Sequence, residues 1–157
     1  MLFIISRYED ASGPLGRAAI ASNNRTLHAR WIESLALSGQ FDEAEEAMGS
    51  YQASNATYSD AMLRSLVSRV KSDQLLAQGD IQGGMAELTK YRNALRTAIS
   101  VDETNPIPYI HLCKSLLNEY RLTQNKKLLE EAILAADEGS INNADSEDFA
   151  VVKTDVL

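Results

Sequence analysis

Few side chains in this sequence are of a type and spacing that could do chemistry. Its two histidines, His28 and His111, lie far apart, and its single cysteine is Cys113. One cysteine excludes an intramolecular disulfide. It stands among Ile110, Leu112 and Leu116, which marks a buried small hydrophobe rather than a reactive thiol. With two distant histidines it offers no zinc-ligand spacing. Asp42, Glu43, Glu45 and Glu46 are carboxylates that could hold a cation, but they open a helix, where negative charge complements exposed amides and the positive end of the dipole. Gly13-Pro14-Leu15-Gly16 is a turn and not a phosphate-binding loop, and no His-Glu helix motif occurs. Asn55-Ala56-Thr57 matches the N-glycosylation acceptor pattern, which carries weight only in a secreted chain. A nucleophile with its base, or carboxylates driven to different pKa values in a pocket, would be needed for catalysis. The expectation is a protein that is not an enzyme and uses neither metal nor cofactor.

Composition points the same way. The chain has 157 residues, 45% of them hydrophobic, and only 3 prolines, which suits one all-helical domain with a real core. A formal net charge of −7 repels phosphate backbones, so no nucleic-acid partner is expected. The acid is concentrated towards the end: residues 126–157 carry three basic and eight acidic side chains, read as solvated helix faces. Leu2-Phe3-Ile4-Ile5 is too short for a signal core or a membrane span. No membrane association is expected, and a cytoplasmic location is favoured.

The elements follow from periodicity and turn residues. Residues 2–11 and 14–22 read as two helices broken at Ser12-Gly13, with Pro14 in the first turn of the second and Leu15, Ala18, Ala19 and Ile20 facing in. Leu27, Trp31 and Leu35, with Ile32 or Leu37, give one apolar face at spacings of three and four. Ser38-Gly39 ends that helix. Ala44, Ala47, Met48 and Tyr51 form the inward stripe of its antiparallel partner. Ser59 or Asp60 caps a long helix to about Gln78. Gly79-Asp80 turns the chain as Gly39-Gln40 does, and Gly84 stands 40 residues after Ala44. The helix from Ile81 runs to about Val101, with Gly83-Gly84 marking a close helix contact or a kink. Pro106 and Pro108 open the next, which carries Tyr109, Leu112, Cys113, Leu116, Leu117 and Tyr120 on one face. Lys126–Asp137 pairs with it and ends at Gly139, and 147–157 reads as a final helix. Three hairpins result, at about 26–53, 60–101 and 107–138, flanked by helices at 2–22 and 147–157. The lone last helix fits either a cap or an array cut from a longer chain, with the second favoured.

Trp31 and Leu35, Gly39 at the turn, then Ala44, Met48 and Tyr51 resemble a tetratricopeptide repeat, a helix-turn-helix unit of about 34 residues. Ala98–Pro106, AISVDETNP, resembles the linker between such units, with Glu103 where the family usually has proline. Ile32 replaces the family's small residue, and no proline closes the unit near Ala56. The resemblance implies a right-handed α-solenoid of antiparallel hairpins with a concave groove lined by first helices. It implies that Arg30, Glu33 and Leu37, then Arg69, Asp73 and Leu76, then Ile110, His111, Lys114 and Asn118 face the groove. Arg30, Arg69, His111 and Lys114 would make it positive and suited to an acidic or C-terminal peptide. The lysine–asparagine clamp of some members is missing, since Ala29 and Glu33 hold the matching places. The function so implied is a protein–protein interaction scaffold. The alternatives are an accessory domain of a larger protein or a structural domain that pairs with itself as a homodimer through Leu2, Ile5, Val151, Val152 and Val156.

Overall fold

The computed structural model describes residues 2–22, 24–51 and 57–142; the expected helix at 147–157, with Val151, Val152 and Val156, lies outside them. Every element among the described residues is a helix: α1 (Leu2–Ser22), α2 (Arg25–Leu37), α3 (Phe41–Tyr51), α4 (Tyr58–Ala77), α5 (Ile81–Val101), α6 (Pro106–Thr123) and α7 (Lys126–Asn142). The protein is all-α, and no described helix is long and apolar enough to cross a membrane.

The helices sort into two compact units. One holds α1, α2, α3, α4 from Leu63 and α5 as far as Tyr91; the other holds α4 up to Met62, α5 from Arg92, α6 and α7.

In the first unit the core is Ile32, Leu35 and Ala36 of α2, Ala44 and Ala47 of α3, and Val67 of α4, with Trp31, Phe41, Met48 and Leu63 packed around it. Alanines on α3 let the helices approach, and each fully buried Ile or Leu contributes about 1.5–3 kcal/mol. α2 also packs on α1. Asn24 caps α2, its side-chain oxygen accepting from the amides of Thr26 at 2.9 Å and Leu27 at 3.2 Å. Such a cap is worth about 1 kcal/mol.

The Gly39 and Gly79 turns are built alike, 40 residues apart. The glycines have φ of 83° and 86°, a region open to glycine at little cost. The Gly39 amide donates to Ala36 O at 3.0 Å and the Gln40 amide to Leu35 O at 2.9 Å; the Gly79 amide donates to Leu76 O at 3.1 Å and the Asp80 amide to Leu75 O at 2.9 Å. These bonds close the carbonyls that a helix C-terminus leaves open. Past the second turn, Ser72 Oγ donates to Gly84 O at 2.8 Å, and a Cβ on Gly84 would fall 2.5 Å from Leu76 Cγ. Of the two readings of Gly83-Gly84, close helix contact is the one found.

In the second unit α6 packs on α7, with Tyr109, Leu112, Cys113, Leu116 and Leu117 buried against Leu128, Ala132, Ala135 and Ala136. Asn105 caps α6 through the Ile107 amide at 3.1 Å, and Pro106 occupies the first turn, where no amide partner is lost.

Several sequence expectations need correction. The break at Ser12-Gly13 is absent: α1 is one helix with Pro14 inside it. Ser12, Gly16 and Ala19 are buried at spacings of four and three. Packing of this small-residue face outweighs the local cost of the proline. Ala18 and Ile20 consequently point outward. α4 starts two or three residues earlier than expected, capped by Thr57: its amide donates to Asp60 Oδ2 at 3.0 Å and its Oγ1 accepts from the Asp60 amide at 3.3 Å. That reciprocal box satisfies two donors together. Finally, Gly139 does not end α7 but is buried within it.

Candidate functional site

The groove residues expected from the family resemblance fall into three groups. Arg30 and Glu33 sit on one side of α2 and bond to each other, Arg30 Nη1 to Glu33 Oε2 at 2.8 Å. An exposed pair of this kind adds little stability, and a competing carboxylate could displace it at small cost. Arg69 and Asp73 are exposed one turn apart on α4, and no hydrogen bond or ion pair engages either among the described residues. On α6, Lys114 and Asn118 are exposed and likewise unengaged, whereas His111 is half-buried and makes a contact of its own. The structure therefore keeps Arg69 and Asp73 on one face in the first unit and Lys114 and Asn118 on one face in the second.

Two charge networks, each built on a buried member, escaped the sequence reading. In the first unit Lys71 Nζ bonds Glu45 Oε1 at 2.6 Å and lies 3.8 Å from Glu87 Oε1, which also receives Lys90 Nζ at 2.7 Å. Glu87 is only 6% exposed. These contacts tie α3, α4 and α5 together. Within the acidic run, Asp42 and Glu43 occupy the first turn of α3 as expected, while Glu45 is the partner of a lysine on another helix. The hydrogen bond to Glu45, helped by the charges of Glu45, Glu87 and Asp42, raises the Lys71 pKa despite its partial burial.

In the second unit Arg92, 8% exposed, runs from α5 into α6. Its Nε donates to Ser115 Oγ at 3.0 Å, and its Nη2 to Ser115 O at 3.1 Å and Glu119 Oε2 at 2.5 Å. Cys113 is fully buried with Sγ 3.5 Å from Ala132 O, and burial pushes its thiol up to about 11. It is a packing residue, as its neighbours indicated. Among the described residues no three His, Cys, Asp or Glu side chains gather as metal ligands would.

One concave feature of the second unit is a depression of about 350 Å³ bordered by α5, α6 and α7. Ile99, Leu112 and Leu116 form its floor, and Leu134, 62% exposed, forms one wall. At the rim Arg96 Nη2 bonds Glu131 Oε2 at 2.9 Å, and Glu138 stands two turns along α7. It does not include the expected α6 residues. At 3.6 residues per turn, Leu112 and Leu116 lie roughly 150° around α6 from His111, Lys114 and Asn118.

Compared with models of protein families, with curated proteins and with solved structures, the chain matches none.

Proposed function

We propose that this chain is a helical-hairpin scaffold of the tetratricopeptide kind, a right-handed solenoid that binds a segment of another protein. The observation that carries the reading is the recurrence, 40 residues apart, of one hydrogen-bonded glycine turn with α2 and α3 on either side of the first and α4 and α5 on either side of the second. A hairpin of this kind cannot bury its apolar faces alone, and stacked hairpins present first helices for binding. The candidate contact surfaces are the exposed face of α4 with Arg69 and Asp73 and that of α6 with Lys114 and Asn118. Both cations lack an ion-pair partner among the described residues, which leaves them able to engage carboxylates of a bound segment. Arg30 is a weaker candidate because Glu33 holds it.

The test is affinity capture from source-cell lysate with the parent chain and with Arg69→Glu and Lys114→Glu, the captured protein being identified by mass spectrometry. Both substitutions are on exposed positions and should shift stability by no more than about 0.5 kcal/mol. A partner held by the parent and depleted several-fold by either variant supports the reading. Equal capture by all three chains moves the contact away from α4 and α6, and no specific partner removes the reading.

A further inference from the structure

The depression on α5, α6 and α7 has a floor and a rim of different chemistry. Its volume, about 350 Å³, is at the small end of ligand sites and has room for one or two branched apolar side chains. Leu134 is left 62% exposed beside it, and Ile141, two turns further along α7, is 80% exposed. The rim is acidic. Arg96 is neutralised by Glu131, whereas Glu138 has no hydrogen bond or ion pair among the described residues. Glu130 adds one more exposed carboxylate to the outer surface of α7. An acidic segment would bring like charge against this rim; a segment carrying lysine or arginine meets complementary charge that also steers its approach.

We propose that this depression docks a basic amphipathic segment of a partner protein, one apolar side chain seated between Leu134 and the Ile99–Leu116 floor and a Lys or Arg at Glu138. The proposal rests on the reading of the chain as a segment-binding scaffold and adds a surface on the side of α6 away from Lys114 and Asn118. Recognition is by an apolar anchor in a pocket, ringed by polar groups that fix register. The exposed carboxylates raise the association rate and make binding depend on salt.

The probe is a dye-labelled helical peptide of leucine and lysine, with a leucine–glutamate counterpart of equal length, titrated with the full chain by fluorescence anisotropy at low and physiological salt. Leu134→Asp and Glu138→Lys are the test variants and Glu46→Lys, the same charge reversal on α3, the control; all three positions are exposed, and thermal melts establish that each variant is folded. The expected result is binding of the leucine–lysine peptide only, weakened by salt, by about tenfold or more in Leu134→Asp and about threefold to tenfold in Glu138→Lys, and unchanged in Glu46→Lys. Equal binding of both peptides, no binding of either, or an affinity indifferent to Leu134→Asp would overturn the proposal. Self-association of the full chain that Leu134→Asp abolishes would give the depression to a second copy instead, and overturn it too. Loss of the peptide result while lysate capture still depends on Lys114 or Arg69 removes the depression and leaves the scaffold reading standing; failure of lysate capture removes the scaffold reading itself.

Discussion

Arg92 and Glu119 offer a stringent perturbation, because both are largely withdrawn from water and lie on different helices. Arg92→Met leaves Glu119 without its counter-charge and Ser115 without a donor. Glu119→Leu leaves the guanidinium with two neutral acceptors on Ser115, at 3.0 and 3.1 Å, and no carboxylate. Removing one partner of a buried pair costs about 3–5 kcal/mol, whereas replacing both by apolar groups of similar size is often neutral. The Glu119 side chain is 15% exposed and the Arg92 side chain 9%, so water reaches the carboxylate somewhat better. Each single substitution should therefore cost about 2–4 kcal/mol, with Glu119→Leu the costlier, since it strands the more buried charge. The double substitution should cost less than the sum by about 2 kcal/mol or more. Urea unfolding of the full chain followed by circular dichroism at 25 °C gives the four free energies. A coupling below about 0.5 kcal/mol would refute the argument, since it would mean that the two charges meet in water rather than between α5 and α6.

The Cys113 thiol is raised from 9.0 to about 11, so the folded state holds its proton more tightly than the unfolded chain does. That stability is fully present below pH 9 and is lost as pH climbs towards 11, at up to about 1.4 kcal/mol per pH unit; in alkaline unfolding series the parent should fall more steeply than Cys113→Ala by that amount. Gly49→Ala should stabilise α3 by about 0.5–1 kcal/mol, because nothing stands within 4 Å of the new Cβ. Gly84→Ala, by contrast, meets Leu76 Cγ at 2.5 Å and should destabilise by about 1 kcal/mol net of the same helix gain; thermal melts of the two variants check the opposite signs. Lys71→Met should cost about 1–3 kcal/mol in urea unfolding, because the buried Glu87 keeps only the contact with Lys90.

Helices and their ends were legible where the deciding interactions are local. Gly39 and Gly79 could be read as helix ends because the bonds that close those turns span three to five residues, and the apolar stripes of α2, α6 and α7 emerged from spacing alone. Propensity failed where a distant element decided the outcome. Gly13-Pro14 reads as a break, yet the buried face of Ser12, Gly16 and Ala19 against α2 keeps α1 continuous. The spacing of Leu88, Tyr91 and Leu95 gave no sign that Glu87 and Arg92 would be buried, because their burial depends on Lys71, Ser115 and Glu119, 16 to 27 residues away. The depression was invisible for the same reason, since Arg96 meets Glu131 across 35 residues of sequence. The pairing that engages Arg30 was within range of the sequence: Glu33 is one turn along the same helix, the spacing at which opposite charges pair.

Hydrogen–deuterium exchange of the full chain, alone and with a captured partner bound, tests most directly whether the exposed helix faces are where another protein binds. The prediction is slower exchange in α4 around Arg69–Asp73 or in α6 around Lys114–Asn118, extending to α7 around Leu134–Glu138 if the depression is also filled, with α3 unchanged. A bound partner that leaves exchange in α4, α6 and α7 as it was, or slows only α1 and α3, would contradict it.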